Sequence, residues 1–239
     1  VGTLWANTTS GEMFACTDAT TDANVWYNIG GGDGDVQPYT GFQGTTNGYA
    51  MHGGPTGNFT GSIESYSYTS DTGGTHIGNV TQARATYGSC TSTTHGYYIG
   101  GNTSSGAPNR VDTIDRFNFV GAFLSADVGD LRHVKDSTCG SSSELNGYSH
   151  GGGPTNSSID KISFASATTD GVAHGDLSTG RGQASQAGAT AQDLSYGFHA
   201  GGDSPYVYVI DKFAPSSNVT GTEVGTLRVA VIENMGCCS

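Results

Sequence analysis

Gly147-Tyr148-Ser149-His150-Gly151-Gly152-Gly153, then Ile159-Asp160-Lys161-Ile162-Ser163-Phe164, then Gly175-Asp176-Leu177: this ordered triplet decides the fold. Each part recurs along the chain. Gly48-Tyr49 leads to Gly53-Gly54, Gly96-Tyr97 to Gly100-Gly101, and Gly197-Phe198 to Gly201-Gly202. The aromatic positions 49, 97, 148 and 198 are 48, 51 and 50 residues apart. The second marker returns as Ile63-Glu64-Ser65-Tyr66, Ile114-Asp115-Arg116-Phe117 and Ile210-Asp211-Lys212-Phe213, and the third as Gly78-Asn79-Val80, Gly129-Asp130-Leu131 and Gly225-Thr226-Leu227. Self-similarity at a fixed period is the signature of a repeat architecture.

Each unit reads as a short meander of about four antiparallel strands. The Gly-Gly pair turns the chain sharply, because Gly alone tolerates positive φ without penalty. The Ile-Asp marker follows, with the apolar-polar alternation of a half-buried strand. A short outer strand reaches Gly-Asp-Leu, and a polar segment containing Arg84 or Arg181 runs on to the next unit. One such sheet cannot bury both faces, so neighbours must stack. Small sheets in radial array make a β-propeller.

Composition agrees. Of 239 residues 39 are Gly and 13 % are charged, against about 25 % in an ordinary domain. Each Gly inside a helix costs about 1 kcal/mol relative to Ala, so a helical protein is excluded. Disorder is opposed by 34 % hydrophobic residues, with 12 Tyr, 9 Phe and 2 Trp in short regular runs. The net charge of −12 argues against a nucleic-acid partner, which needs clustered Lys and Arg. The best apolar run, Val207-Tyr208-Val209-Ile210, is of strand length rather than the roughly 20 residues of a membrane span, so no membrane insertion is expected. No stretch reads as a secretory signal.

The order Gly-Tyr-x-x-Gly-Gly, Ile-Asp-Lys-Phe, Gly-Asp-Leu resembles the kelch repeat of β-propellers. Ile159-Asp160-Lys161-Ile162-Ser163-Phe164-Ala165-Ser166 followed by Gly175-Asp176-Leu177 looks like the kelch-like repeats of virion structural proteins from marine cyanophages and related tailed phages. The resemblance covers roughly residues 41–239 and implies a fold class of all-β, kelch-like propeller, with four repeats of some fifty residues. The first repeat departs from the others at Ser65 and His52, and the fourth at Phe198.

Residues 1–36 read as an N-terminal β-hairpin module, built on Gly11–Cys16 and Val25–Ile29, similar to small attachment modules of phage fibre proteins. Residues 37–47 are linker and start of the ring, and residues 48–239 the propeller. The C-terminal stretch, Leu227 to Ile232 and Gly236-Cys237-Cys238-Ser239, is expected to join the first blade and close a four-bladed ring. Closure satisfies edge hydrogen bonds. The rival is a fifth blade shared by the termini, because Val1-Gly2-Thr3-Leu4 matches Val224-Gly225-Thr226-Leu227.

Catalytic signatures are missing: no nucleophile elbow, H-E-x-x-H, P-loop or dinucleotide fingerprint. The Gly30–Gly34 run reads as a tight turn, and Asp33-Gly34-Asp35 offers too few oxygens for calcium. Of the histidines, His52, His76, His95, His133, His150, His174 and His199, three (His52, His150, His199) fall near the Gly-Gly turns but not at one repeat position. They read as surface or turn residues rather than a metal ring. Glu64, Asp115, Asp160 and Asp211, with Arg116, Lys161 and Lys212, recur with the repeat and read as scaffold, a polar face ion-paired between strands at about 0–1 kcal/mol per exposed pair. Cys90 and Cys237 fall on corresponding inner strands near the axis, with Cys139 nearby in register, either as small buried side chains or as a disulfide; Cys16 and Cys238 complete the set, without C-x-x-C spacing. Six N-x-S/T sequons, from Asn7 to Asn218, matter only along a eukaryotic secretory route.

No catalytic, cofactor-binding or metal residue is assigned. The resemblance implies a non-enzymatic virion protein of a tailed phage, on capsid or tail, in decoration, attachment or host-surface recognition. Its partners would be other virion proteins, copies of itself or a host-surface glycan. The alternative is a secreted or cell-surface module binding glycans or protein. A kelch-type copper oxidase has no matching Tyr, His and Cys-linked Tyr set here.

Overall fold

The computed structural model describes residues 1–8, 11–29, 46–54, 59–104, 109–120, 123, 125–154, 156–181, 189–192, 196–202 and 208–228, and among them no helix occurs. The chain divides into two compact units, Val1–Gln43 and Gly44–Ser239. The Gly30–Gly34 turn, Asp33 and Asp35, the linker, Cys237, Cys238 and the C-terminal strand beyond 228 lie outside the described residues.

Unit 1 carries an antiparallel sheet of β1 (Leu4–Ala6), β2 (Met13–Asp18) and β3 (Val25–Asn28), in that order. The β2–β3 hairpin is the one read from sequence, and β1 adds a third strand. Both edges of β2 are therefore occupied.

Among the described residues, unit 2 holds four antiparallel sheets, each a simple meander. The first is β4 (Asn47–Met51), β5 (Ser62–Ser67) and β6 (Thr75–Asn79). The second is β7 (Gly88–Thr91), β8 (His95–Ile99), β9 (Thr113–Asn118) and β10 (Ala126–Asp130). The third is β11 (Cys139–Ser142), β12 (Asn146–His150), β13 (Asn156–Ser163) and β14 (Val172–Arg181). The fourth is β15 (Ala189–Gln192), β16 (Gly197–Ala200), β17 (Val209–Phe213) and β18 (Thr222–Thr226).

The register repeats from sheet to sheet. Met51 faces Ile63, Ile99 faces Ile114, His150 faces Ile159 and Ala200 faces Ile210. The Gly of each Gly-aromatic pair stands opposite Tyr66, Phe117, Ile162 or Phe213. A Cβ on Gly48, Gly96 or Gly197 would fall inside the opposing ring, so here glycine makes room for a cross-strand aromatic. Gly100-Gly101, Gly151-Gly152 and Gly201-Gly202 all take positive φ, as the turn reading requires.

The half-buried reading of the Ile-Asp strand is corrected. Ile and Phe are three residues apart, so they point to opposite faces, and both faces are covered. Ile63 of the first sheet packs with Phe117 and Tyr98 of the second. Tyr97, Ile99 and Ile114 of the second pack with Ile162 of the third. Tyr148, Ile159 and Leu177 of the third pack with Phe213 of the fourth. The second and third sheets are thus each sandwiched between two neighbours, and the core is a series of junctions.

The first strands of the second, third and fourth sheets, β7, β11 and β15, lie side by side. Small residues make this possible: a Cβ on Gly140 of β11 would collide with the backbone of Ser89 in β7. At the outer edge, Gly129 adopts φ 153° at a β-bulge and Gly175 φ 134°, each against the carbonyl of a loop from the next sheet (Thr169 and Val219). Backbone bonds from Gly171 to Asp130 (2.8 Å) and from Gly221 to Asp176 (2.6 Å) tie the same neighbours together.

Candidate functional site

The recurring acids do not sit on an exposed polar face. Asp115, Asp160 and Asp211 are fully buried, and only Glu64 of the first repeat reaches solvent, where it meets His52 at 3.3 Å. The partners of Asp115 and Asp160 come from the inter-sheet segments rather than from Arg116 or Lys161. Arg84 Nη1 lies 3.0 Å from Asp115 Oδ2, and Lys135 Nζ 2.7 Å from Asp160 Oδ2 with Arg132 on the other oxygen. Thr81 donates to Asp115 through both its backbone N–H (3.1 Å) and its hydroxyl (2.6 Å). Arg84 also donates to the Tyr98 carbonyl (3.1 Å), while the Tyr98 hydroxyl donates to the Arg84 carbonyl (2.5 Å). Its guanidinium lies over the Tyr98 ring, 4.6 Å from the centroid.

These are buried pairs in which either partner alone would leave an uncompensated charge. Burial pushes the Lys135 ammonium below its ordinary value, and Asp160 pulls it back. Desolvation also raises the phenol of Tyr98. The adjacent bases serve elsewhere: Arg116 donates to the Ser166 carbonyl (3.2 Å) and Lys161 to Asn218 Oδ1 (3.4 Å), each on the loop of the following sheet. Arg110 pairs with Asp136 at 2.8 Å.

Three histidines are not surface residues. His150, His174 and His199 are buried. His174 meets Asn218 Oδ1 and the Ala214 carbonyl, both at 2.9 Å. His150 Nδ1 stands 2.8 Å from His199 Nδ1, so one neutral ring donates to the other. Two nitrogens bound to a tetrahedral zinc would be roughly 3.3 Å apart; the spacing here fits a shared proton. Among the described residues, no group of three or more His, Cys, Asp or Glu is placed to hold a metal ion. Sequence reading missed this pair because residues 150 and 199 occupy different repeat positions; only stacking of the sheets brings them together.

Cys90 and Cys139, on the adjacent strands β7 and β11, are buried, as is Cys16. Desolvation raises the Cys90 thiol far above its ordinary value.

Solvent is met by aromatics. In unit 1, Trp5 is 47 % exposed, with Trp26 edge-on at 6.4 Å. In unit 2, Tyr66 and Tyr68 of the first sheet form an exposed edge-to-face pair at 5.8 Å. Tyr196 carries Lys212 Nζ 4.1 Å from its ring centroid.

No protein-family model and no curated protein matches the chain. Among solved structures, the fold is similar to that of YjhT, a β-propeller-like protein, with a TM-score of 0.59 and 9 % identity. The match covers 78 % of this chain and 64 % of that one, so the chain spans less than two thirds of YjhT's length. The likeness is one of fold, an all-β chain of small antiparallel sheets, and such a fold hosts many unrelated functions.

Proposed function

We propose that this chain is a non-enzymatic structural protein of a tailed-phage virion, placed on the capsid or tail surface and working in decoration, attachment or host-surface recognition. The observation that carries the reading is the inward turning of the repeat's recurring acids. Asp115 and Asp160 are consumed as fasteners between sheets and inter-sheet segments, so repetition here builds scaffold. The resemblance of the Ile159–Ser166 and Gly175–Leu177 markers to phage virion repeats supplies the setting. Proteomic analysis of purified particles tests it: the protein is expected at a fixed copy number per particle, and its absence from them defeats the proposal.

The finer architecture belongs to the same reading: unit 2 is a four-bladed ring closed by the C-terminal stretch. Among the described residues the first sheet has no strand on the inner side of β4, the place that β7, β11 and β15 hold in the other sheets. Tyr66 is 43 % exposed, whereas its counterparts Phe117 and Phe213 are each 2 % exposed. Both features fit a first sheet that awaits its inner strand and the fourth sheet.

A second reading, a glycan-binding module, is favoured by Trp5 and Trp26 on one face of unit 1. Flat apolar rings suit sugar stacking. Binding on a glycan array that Trp5→Ala abolishes supports it, and an array without signal removes it.

A further inference from the structure

We propose that the contact between His150 and His199 makes the junction of the third and fourth sheets acid-sensitive: proton uptake at this pair loosens the fourth sheet from the third. The inference is independent of what the protein does in the assembly.

The three junctions can be compared position by position. Met51, Ile99 and His150 occupy one register place in successive sheets, each opposite the marker Ile of the next strand. Tyr98, Ser149 and His199 occupy the facing place, each opposite the marker Asp. At the first junction Met51 and Tyr98 belong to one apolar cluster. At the second, Ile99 lies in the apolar cluster, and the Ser149 hydroxyl meets Thr138 Oγ1 at 2.8 Å. Neither pair holds a group that takes up a proton as the pH falls below neutral. Only the third junction, among those described, puts an ionisable pair there.

The chemistry of the pair is restrictive. Two neutral imidazoles share one proton across 2.8 Å, and both rings are out of solvent. The next proton, on the outer Nε2 of the donor ring, would put a charge in a dry site, and protonation of both rings would set N–H against N–H across the contact. The surrounding charges decide whether the fold can absorb it. Lys135, from the segment between β10 and β11, opposes a charge on His150 electrostatically. Lys135 itself is held by Asp160 of β13, which Arg132 also contacts. Asp211 of β17 pairs in register with His199 and is the acid on that side. Phe213 of β17 covers the His150 ring edge-to-face at 5.3 Å. His174 of β14 lies beyond Phe213, bonded to Asn218 and Ala214.

The direction follows from linkage. Burial first, then His199 and Lys135, hold His150 well below its ordinary value, so the closed junction keeps it neutral. Once opened, each histidine titrates near 6.5. The opened form therefore binds more protons below that pH. Closure is complete above about 6.5 and weakens by about tenfold per pH unit per proton as the pH falls.

Hydrogen exchange of the full chain, read as protection factors at pH 7.5, 6.5 and 5.5, tests this. Protection in β12 and in β16–β18 is expected to fall about tenfold per proton between 6.5 and 5.5, while β8 and β9 of the second sheet hold theirs. The double variant His150→Ile with His199→Ser transplants the pair of the preceding junction and should abolish the dependence. Unchanged wild-type protection, or the same loss in the double variant, overturns the proposal. Imidazole nitrogen NMR of the wild type is the measurement that does not depend on the variant folding. Both rings should stay neutral until the fourth sheet loses protection and then protonate together; titration near 6.5 with protection intact overturns it.

Discussion

Arg84 and Asp115 form an ion pair of 3.0 Å with both side chains out of solvent, joining the segment after the first sheet to the third strand of the second. Lys135 and Asp160 repeat the arrangement one sheet later at 2.7 Å. Removing one partner strands the other charge in the interior. Asp115→Ala should destabilise the protein by about 3–5 kcal/mol, measured by urea denaturation. Replacing both, Arg84→Met with Asp115→Leu, should cost clearly less than the single change; equal costs would mean that the charge is not what matters.

Gly96→Ala tests the ring packed across the strand. The new methyl would enter the space of the Phe117 ring, since the ring's nearest carbons lie well under 3.0 Å from the Cβ position. A loss of about 1–3 kcal/mol is expected, the ordinary cost of overpacking. Phe117→Leu in the same chain should recover part of it, which a double-mutant cycle on thermal or urea melts will read.

Gly129→Ala combines two penalties. The residue holds φ 153°, and its Cβ would press on the carbonyl of Thr169, a backbone atom that cannot swing away. Destabilisation should exceed 1 kcal/mol by the usual scale of backbone strain. Gly73→Ala, where no atom lies within 4 Å and φ is not positive, is the control and should stay within about 0.5 kcal/mol.

Thiol chemistry gives a prediction at mildly alkaline pH. Cys90 is buried and its thiol is shifted upward by desolvation alone, so it carries almost no thiolate there. Iodoacetamide should leave Cys90 unmodified in the native protein and label it quickly in denaturant, as mass spectrometry of its peptide will show.

Deleting residues 229–239 tests the closed ring. Amide exchange in β4 should rise and that in β8 should not, because β8 has β7 on its inner side and β4 depends on the C-terminal stretch in this reading. Equal exchange with and without the stretch would leave the first sheet needing another partner.

The strands were legible because their markers repeat. Gly-Tyr, Ile-Asp and Gly-Asp-Leu name the second, third and fourth strands of each full meander, and all appear in those roles. The pairing of the acids was not legible. Asp115 stands next to Arg116 in sequence, yet successive residues of a strand point to opposite faces, so Asp115 turns to Arg84 and Arg116 to the Ser166 carbonyl. The alternation misled in the same way. Ile114 and Phe117 look like one apolar stripe, but their spacing of three sends them into two different junctions.

By itself, the sequence determined the repeat period, the marker strands of the repeats, the positive-φ turns at Gly100-Gly101 and their counterparts, and a chain without helix in its described part. Those properties are local, set by glycine's freedom and by residue spacing within a few positions. Only the tertiary structure decided which groups meet across a junction. Arg84 reaches Asp115 over 31 residues and His150 meets His199 over 49, because adjoining sheets cover one another's facing sides. Within a strand, sequence says which side a residue takes; what lies on that side depends on how the next sheet is stacked.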